Sequence, residues 1–108
     1  MTATQDLVRR YFVLAADPDL EAYHAQFADD AVVEDEGRHH RGIDAVRAWR
    51  TSVPEVHYDV RAIEPIADGE RALVAISGDF PGSPVDLAFT FTYEDGRIRT
   101  LTIRPVEN

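Results

Sequence analysis

Asp35, Tyr11 and His40 are the side chains of this sequence best suited to moving a proton, and the residues around each say where it points. Asp35 lies in Ala31-Val32-Val33-Glu34-Asp35-Glu36, a run that reads as a strand. Alternation puts Val33 and Asp35 on one face and Glu34 and Glu36 on the other. With Val33 toward the core, Asp35 faces inward too, at the strand end near an opening. A carboxylate against an apolar cavity is costly to ionise unless paired, which brings it toward the range a proton acceptor needs. The plainer reading is an aspartate that accepts hydrogen bonds at a hairpin. Tyr11 follows Leu7 by four residues, so its ring joins the core side of a helix, where its hydroxyl needs a buried partner or a ligand.

The hairpin after Asp35 decides what His40 does. A two-residue turn at Gly37-Arg38, with Gly in the first central position, is of type II′. That register pairs Glu36 with His39, Asp35 with His40 and Glu34 with Arg41, which makes an inward Asp35–His40 dyad and outward charge pairs. His39 and His40 are strand neighbours on opposite faces, so they cannot jointly hold a metal, and no HExxH or carboxylate-rich calcium loop occurs. His24 lies beside Phe27 on a helix and reads as a partly buried helix histidine, and His57 reads as exposed.

Composition removes other chemistries. The chain has 108 residues, no Cys and a net charge of −9. Without Cys there are no disulfides, thiolate nucleophiles or sulfur-bound zinc. All 11 basic residues are Arg, which excludes Schiff-base lysines and Walker-type phosphate loops. Arg38, Arg41, Arg47 and Arg50 fall close together and can receive a small anion, although solvated surface is the simpler reading. The acidic balance argues against nucleic acid. No apolar run is long enough for a membrane span and no basic-then-apolar leader opens the chain, so a cytoplasmic address is the default expectation.

The elements that must position these residues form one domain over residues 1–108, with 44% hydrophobic residues and no repeat or linker. Helical spacing covers residues 4–16. Asp17-Pro18-Asp19 stops that helix and starts another, with Asp17 as N-cap and Pro18 at its first position, running to about 28–30. Short strands at 31–36 and 39–41 precede a helix at 43–52 carrying Ile43, Val46 and Trp49. The period then changes to two, giving strands at 56–66, 71–80, 85–93 and 97–105. Asp68-Gly69 and Asp95-Gly96 are turn signals between them. Three N-terminal helices with an inserted hairpin, followed by an antiparallel meander, make an α+β domain with helices on one face of a curved sheet. Phe12, Tyr23, Phe27, Trp49, Leu87, Phe89 and Phe91 read as core and as the wall of an apolar pocket.

That order, together with Phe27-Ala28-Asp29-Asp30-Ala31-Val32-Val33-Glu34-Asp35, resembles the nuclear transport factor 2-like superfamily. Within it, the sequence is similar to the SnoaL-like polyketide cyclases and the ketosteroid isomerases. The run from 8 to 37 is similar to ketosteroid isomerase, and Arg41-Gly42-Ile43-Asp44-Ala45-Val46-Arg47-Ala48-Trp49 is similar to the family's entry into its third helix. The resemblance implies a cone-shaped sheet wrapped around the helices, Asp35 as general base, and Tyr11 as donor to a developing enolate oxygen. It departs at the second oxyanion donor, which falls on Phe89, or on Leu87 with a one-register slip; neither can donate. Such a donor typically carries about 100–1,000-fold in rate. An epoxide hydrolase on this fold needs an Asp-Arg-Asp set that the sequence does not place.

The resulting expectation is a pocket for a small apolar or aromatic molecule, with Asp35 assisting an isomerase- or cyclase-like proton transfer and no cofactor or metal. The alternative is a non-catalytic binding or dimerisation domain in which Asp35 and His40 are structural. Ala88, Thr90, Thr92, Thr100 and Thr102 oppose Phe89, Phe91 and Leu101 on their strands. They should form an outward face of small, mildly polar side chains suited to a homodimer.

Overall fold

The computed structural model describes residues 3–16, 20–53 and 56–106. Along the chain run α1 (Ala3–Ala15), α2 (Leu20–Ala25), β1 (Phe27–Asp35), β2 (Arg38–Arg41), α3 (Ile43–Ser52), β3 (His57–Ile66), β4 (Gly69–Ser77), β5 (Val85–Glu94) and β6 (Arg97–Pro105). The helix break expected at Asp17-Pro18-Asp19 lies outside the described residues. All six strands join one sheet in the order β2-β1-β6-β5-β4-β3. The α+β class and the curved sheet packed on helices are as the sequence implies.

One pairing departs from the antiparallel expectation: β1 runs parallel to β6. A period of two reports which face a side chain takes and says nothing about strand direction. The chain leaves β1 through a hairpin, crosses on α3 and returns through the whole meander, which brings β6 beside β1 in the same sense. The sheet is therefore mixed.

The second helix is shorter than its spacing suggested, and β1 starts earlier. Ile98 donates its N–H to the Gln26 carbonyl at 2.8 Å, and Phe27 pairs with Ile98. A helix this short has few internal hydrogen bonds to set against sheet pairing. The Asp68-Gly69 signal also shifts, because Ile66 pairs with Gly69 and so Ala67-Asp68 make the turn. Gly69 is needed for another reason: a Cβ there would overlap the Phe91 carbonyl oxygen.

The core lies between the helices and the concave face. Val33 from β1, Ala72, Val74 and Ile76 from β4, Phe89 and Phe91 from β5, and Ile98, Leu101 and Ile103 from β6 are buried there. The helices add Val8, Tyr11, Phe12 and Ala15, then Tyr23, then Val46 and Trp49. Phe89, Phe91 and Leu101 are inward as expected, while Thr90 faces Thr102 and Thr92 faces Thr100 across the outer side of β5 and β6. The hydroxyls of Thr92 and Thr100 are 2.5 Å apart.

Candidate active site

The β1–β2 register sets the rim of the concave face. Asp35 pairs with Arg38, Glu34 with His39, Val33 with His40 and Val32 with Arg41. The turn is therefore Glu36-Gly37, with φ of 54° and 77°, and positive φ at both central positions marks type I′ rather than type II′. The Asp35–His40 pairing is overturned. His40 moves two residues along β1 to oppose Val33, and because two steps preserve the face, it still points inward, half-buried, while His39 is exposed. The outward charge pairs change as well. Glu34 takes Arg104 in a two-pronged contact at 2.8 and 3.0 Å and His39 at 3.2 Å, instead of Arg41.

Asp35 is half-buried at the end of β1, on the side of fully buried Val33. Its carboxylate meets Trp49 instead of His40: the indole Nε1–H donates to Oδ2 at 3.0 Å. Local geometry brings the two together. Gly42, with φ of 86°, donates its N–H to Ala31 at 2.8 Å and pins the start of α3 to β1. From Gly42 to Trp49 the helix rises about 10 Å. From Ala31 to Asp35 the strand advances about 13 Å. Helix and strand thus bring the two side chains level. The His40 ring lies 6.2 Å from the Trp49 ring, tilted by 37°.

Tyr11 is buried at the centre of the aromatic layer, and its hydroxyl is 2.9 Å from that of Tyr23. Burial is the main reason that the Tyr11 phenol is held well above its ordinary range, with Tyr23 and Tyr58 adding to it. Burial likewise pushes the Tyr23 phenol up; the Tyr11 hydrogen bond and Arg50 pull it down, and Tyr58 and the Asp35 carboxylate raise it. Both hydroxyls therefore keep their protons. Two phenols that share one hydrogen bond use one hydrogen, and the other has no partner among the described residues. Asp35 makes the smallest of these contributions to Tyr23, a ring that the sequence placed only in the pocket wall.

Arg50 is not the solvated arginine the sequence suggested. Its Nη2 donates to the Ala15 carbonyl at 2.6 Å, satisfying the end of α1, and its guanidinium carbon sits 4.7 Å above the Tyr23 ring. Behind it His24 is buried with Nε2 unpartnered. Burial, then Arg47, lower its pKa from 6.5.

The remaining wall residues lie in or against the core. Phe12, Tyr23, Phe27, Phe89 and Phe91 all have ring contacts with Tyr11, at 5.0–6.3 Å between centroids. Leu87 is half-buried beside them. A cleft of about 250 Å³ lies at the opposite end of β1 from Asp35, against Leu7, Arg10, Gln26, Arg97 and Ile98. Among the described residues no three His, Asp or Glu side chains converge as a metal site would require.

Sequence reasoning missed the Trp49 N–H as a partner for Asp35 and Tyr23 as a partner for Tyr11. Inward spacing was a signal for both rings, but it does not say which way a polar edge turns.

The sequence matches the SnoaL-like domain family over residues 8–101. No curated protein matches the chain. Among solved structures, a candidate polyketide cyclase from Sinorhizobium meliloti is 37% identical, covers 92% of this chain and 94% of its own, and superposes with a TM-score of 0.86. The epoxide hydrolase/cyclase-like enzyme SalBIII, of pyran ring formation in salinomycin, is 20% identical over 95% and 90% of the two chains, with a TM-score of 0.82. A protein from Catenulispora acidiphila with a ketosteroid isomerase-like fold, in complex with trimethylamine, is 17% identical over 90% and 82%, at a TM-score of 0.76. At those identities the last two share the fold.

Proposed function

Because the chain belongs to the SnoaL-like domain family, we propose that it holds a small apolar or aromatic molecule at the concave rim and catalyses cofactor-free proton transfer, isomerase- or cyclase-like, with Asp35 as general base. The observation that carries this reading is the Asp35 carboxylate, inward on β1 and held by a neutral donor instead of a cation. Asp35 takes a proton from a carbon next to a carbonyl. The C–H bond breaks, an O–H bond forms on Asp35, and the electron pair moves to leave charge on the carbonyl oxygen. The spare phenolic hydrogen of the Tyr11–Tyr23 pair suits that oxygen. In an isomerisation the proton returns from Asp35 at another carbon; in a cyclisation the carbanion attacks a second carbonyl carbon, that C=O π bond opens, and its oxygen takes the proton back from Asp35. His40 flanks the rim through Trp49 and serves as a secondary proton carrier.

A binding or association domain is the second reading. The mutual packing of the Tyr11, Phe12, Tyr23, Phe27, Phe89 and Phe91 rings favours it, because these side chains fill the space a ligand would take. The threonine face of β5 and β6 fits a homodimer under either reading, which light scattering would register as about 24 kDa, twice the 12.1 kDa chain. A value near the single-chain mass at micromolar concentration contradicts it.

A panel of enolisable ketones and polyketide-like aromatics separates enzyme from binder. The enzyme reading expects proton exchange above background in wild type and exchange slower by about 10²–10⁴ in Asp35→Asn. A ligand that binds wild type and Asp35→Asn alike, with no exchange anywhere in the panel, leaves the binder.

A further inference from the structure

Trp49 is the only tryptophan in the chain. Its indole is buried, and its N–H is a donor that can accept nothing in return. The contact with Asp35 Oδ2 satisfies that buried donor, and it is the hydrogen bond made by the Asp35 side chain among the described residues. A carboxylate at a strand end otherwise presents two equivalent oxygens and a soft terminal torsion. One fixed donor removes both freedoms.

We propose that Trp49 is the positioning residue of the Asp35 base: by engaging Oδ2 it orients the carboxyl and leaves Oδ1 as the atom that takes the substrate proton. The proposal rests on the reading of Asp35 as the base. A neutral donor suits this task, because it holds the carboxylate without cancelling its charge. Glu34, one residue away, has both oxygens engaged by Arg104 and His39. The aim of Trp49 is set by the rest of α3. Gly42 ties the helix to Ala31 at one end, and Arg50 ties it to Ala15 and the Tyr23 ring at the other. Adjacent residues of one helix therefore hold the base and brace the phenol pair.

With one tryptophan there is one indole N–H resonance to follow. In wild type it should shift as acid protonates the Asp35 carboxyl, and in Asp35→Asn that shift should vanish. This needs no substrate and no Trp49 variant, so it decides the contact even where Trp49→Phe fails to fold. With a turned-over substrate, Trp49→Phe should lower kcat between about tenfold and a hundredfold while KM changes less than about twofold. A tryptophan that only fills space would change stability and leave kcat in place. An indole resonance that behaves alike in wild type and Asp35→Asn overturns the proposal, as does a folded Trp49→Phe with wild-type kcat. Activity that survives Asp35→Asn overturns the base reading itself, and is told apart because the indole resonance then still follows Asp35.

Discussion

Glu34 and Asp35 are adjacent carboxylates on one strand, and they meet opposite fates. Glu34 points outward into Arg104 and His39, and the Arg104 hydrogen bonds hold its carboxyl below the usual range. Asp35 points inward, half-buried, and accepts from a neutral indole. The difference comes from a single step along a strand whose faces alternate. It teaches that an acidic run has no shared chemistry: neighbours across the strand decide which member stays free to take a proton.

Replacing each carboxylate by its amide tests this contrast most severely. Asp35→Asn should lower kcat by about 10²–10⁴, the range of a lost general base, with the fold kept. Glu34→Gln should leave kcat within about twofold, because its carboxylate lies on the face of β1 away from the inward Asp35, against Arg104 and His39. The phenols come next. Tyr11→Phe removes either the donor to a ligand or its support, and should slow turnover by about 100–1,000-fold while ligand binding is largely kept. It should also cost about 1 kcal/mol of stability in urea unfolding, as the buried Tyr23 hydroxyl loses its partner.

Acid stability distinguishes the buried histidine from the exposed ones. The folded state keeps His24 neutral below its ordinary 6.5, through burial and the nearby Arg47. In that window the unfolded chain binds more protons, so the stability from His24 is complete above pH 6.5 and lost as pH falls toward the lowered value. Urea midpoints should therefore fall between pH 7.5 and 5.5 in wild type, and less so in His24→Gln. The smallest effect belongs to the turn beside the two carboxylates. Glu36 holds φ of 54°, a conformation that asparagine tolerates better, so Glu36→Asn should add about 0.5–1 kcal/mol.

That turn also shows how far the sequence could be read. Asp95-Gly96 and Glu36-Gly37 adopt the same pair of positive φ values, 52° and 78° against 54° and 77°. The first was legible because aspartate before glycine is a known preference. The second was misplaced by one residue, because glutamate has no such preference and gives no local sign that it will accept the strain. His40 kept its face only because the error moved its partner by two. Strand positions from β3 to β6 and the inward set Phe89, Phe91 and Leu101 followed from periodicity, which burial enforces. The parallel seating of β1 on β6, the early start of β1 at Phe27, and the turn of the Trp49 edge toward Asp35 depend on contacts between distant elements, which leave no periodic trace.

In the proposed reaction the inward carboxylate is the one that accepts a proton. Deuterium incorporation from D₂O into an enolisable ketone, followed by NMR for wild type, Asp35→Asn and Glu34→Gln together, measures that step directly. The expected result is exchange in wild type and Glu34→Gln at rates within about twofold of each other, with Asp35→Asn slower by about 10²–10⁴. Exchange in Asp35→Asn at the wild-type rate, or its disappearance in Glu34→Gln, would contradict the role given to Asp35.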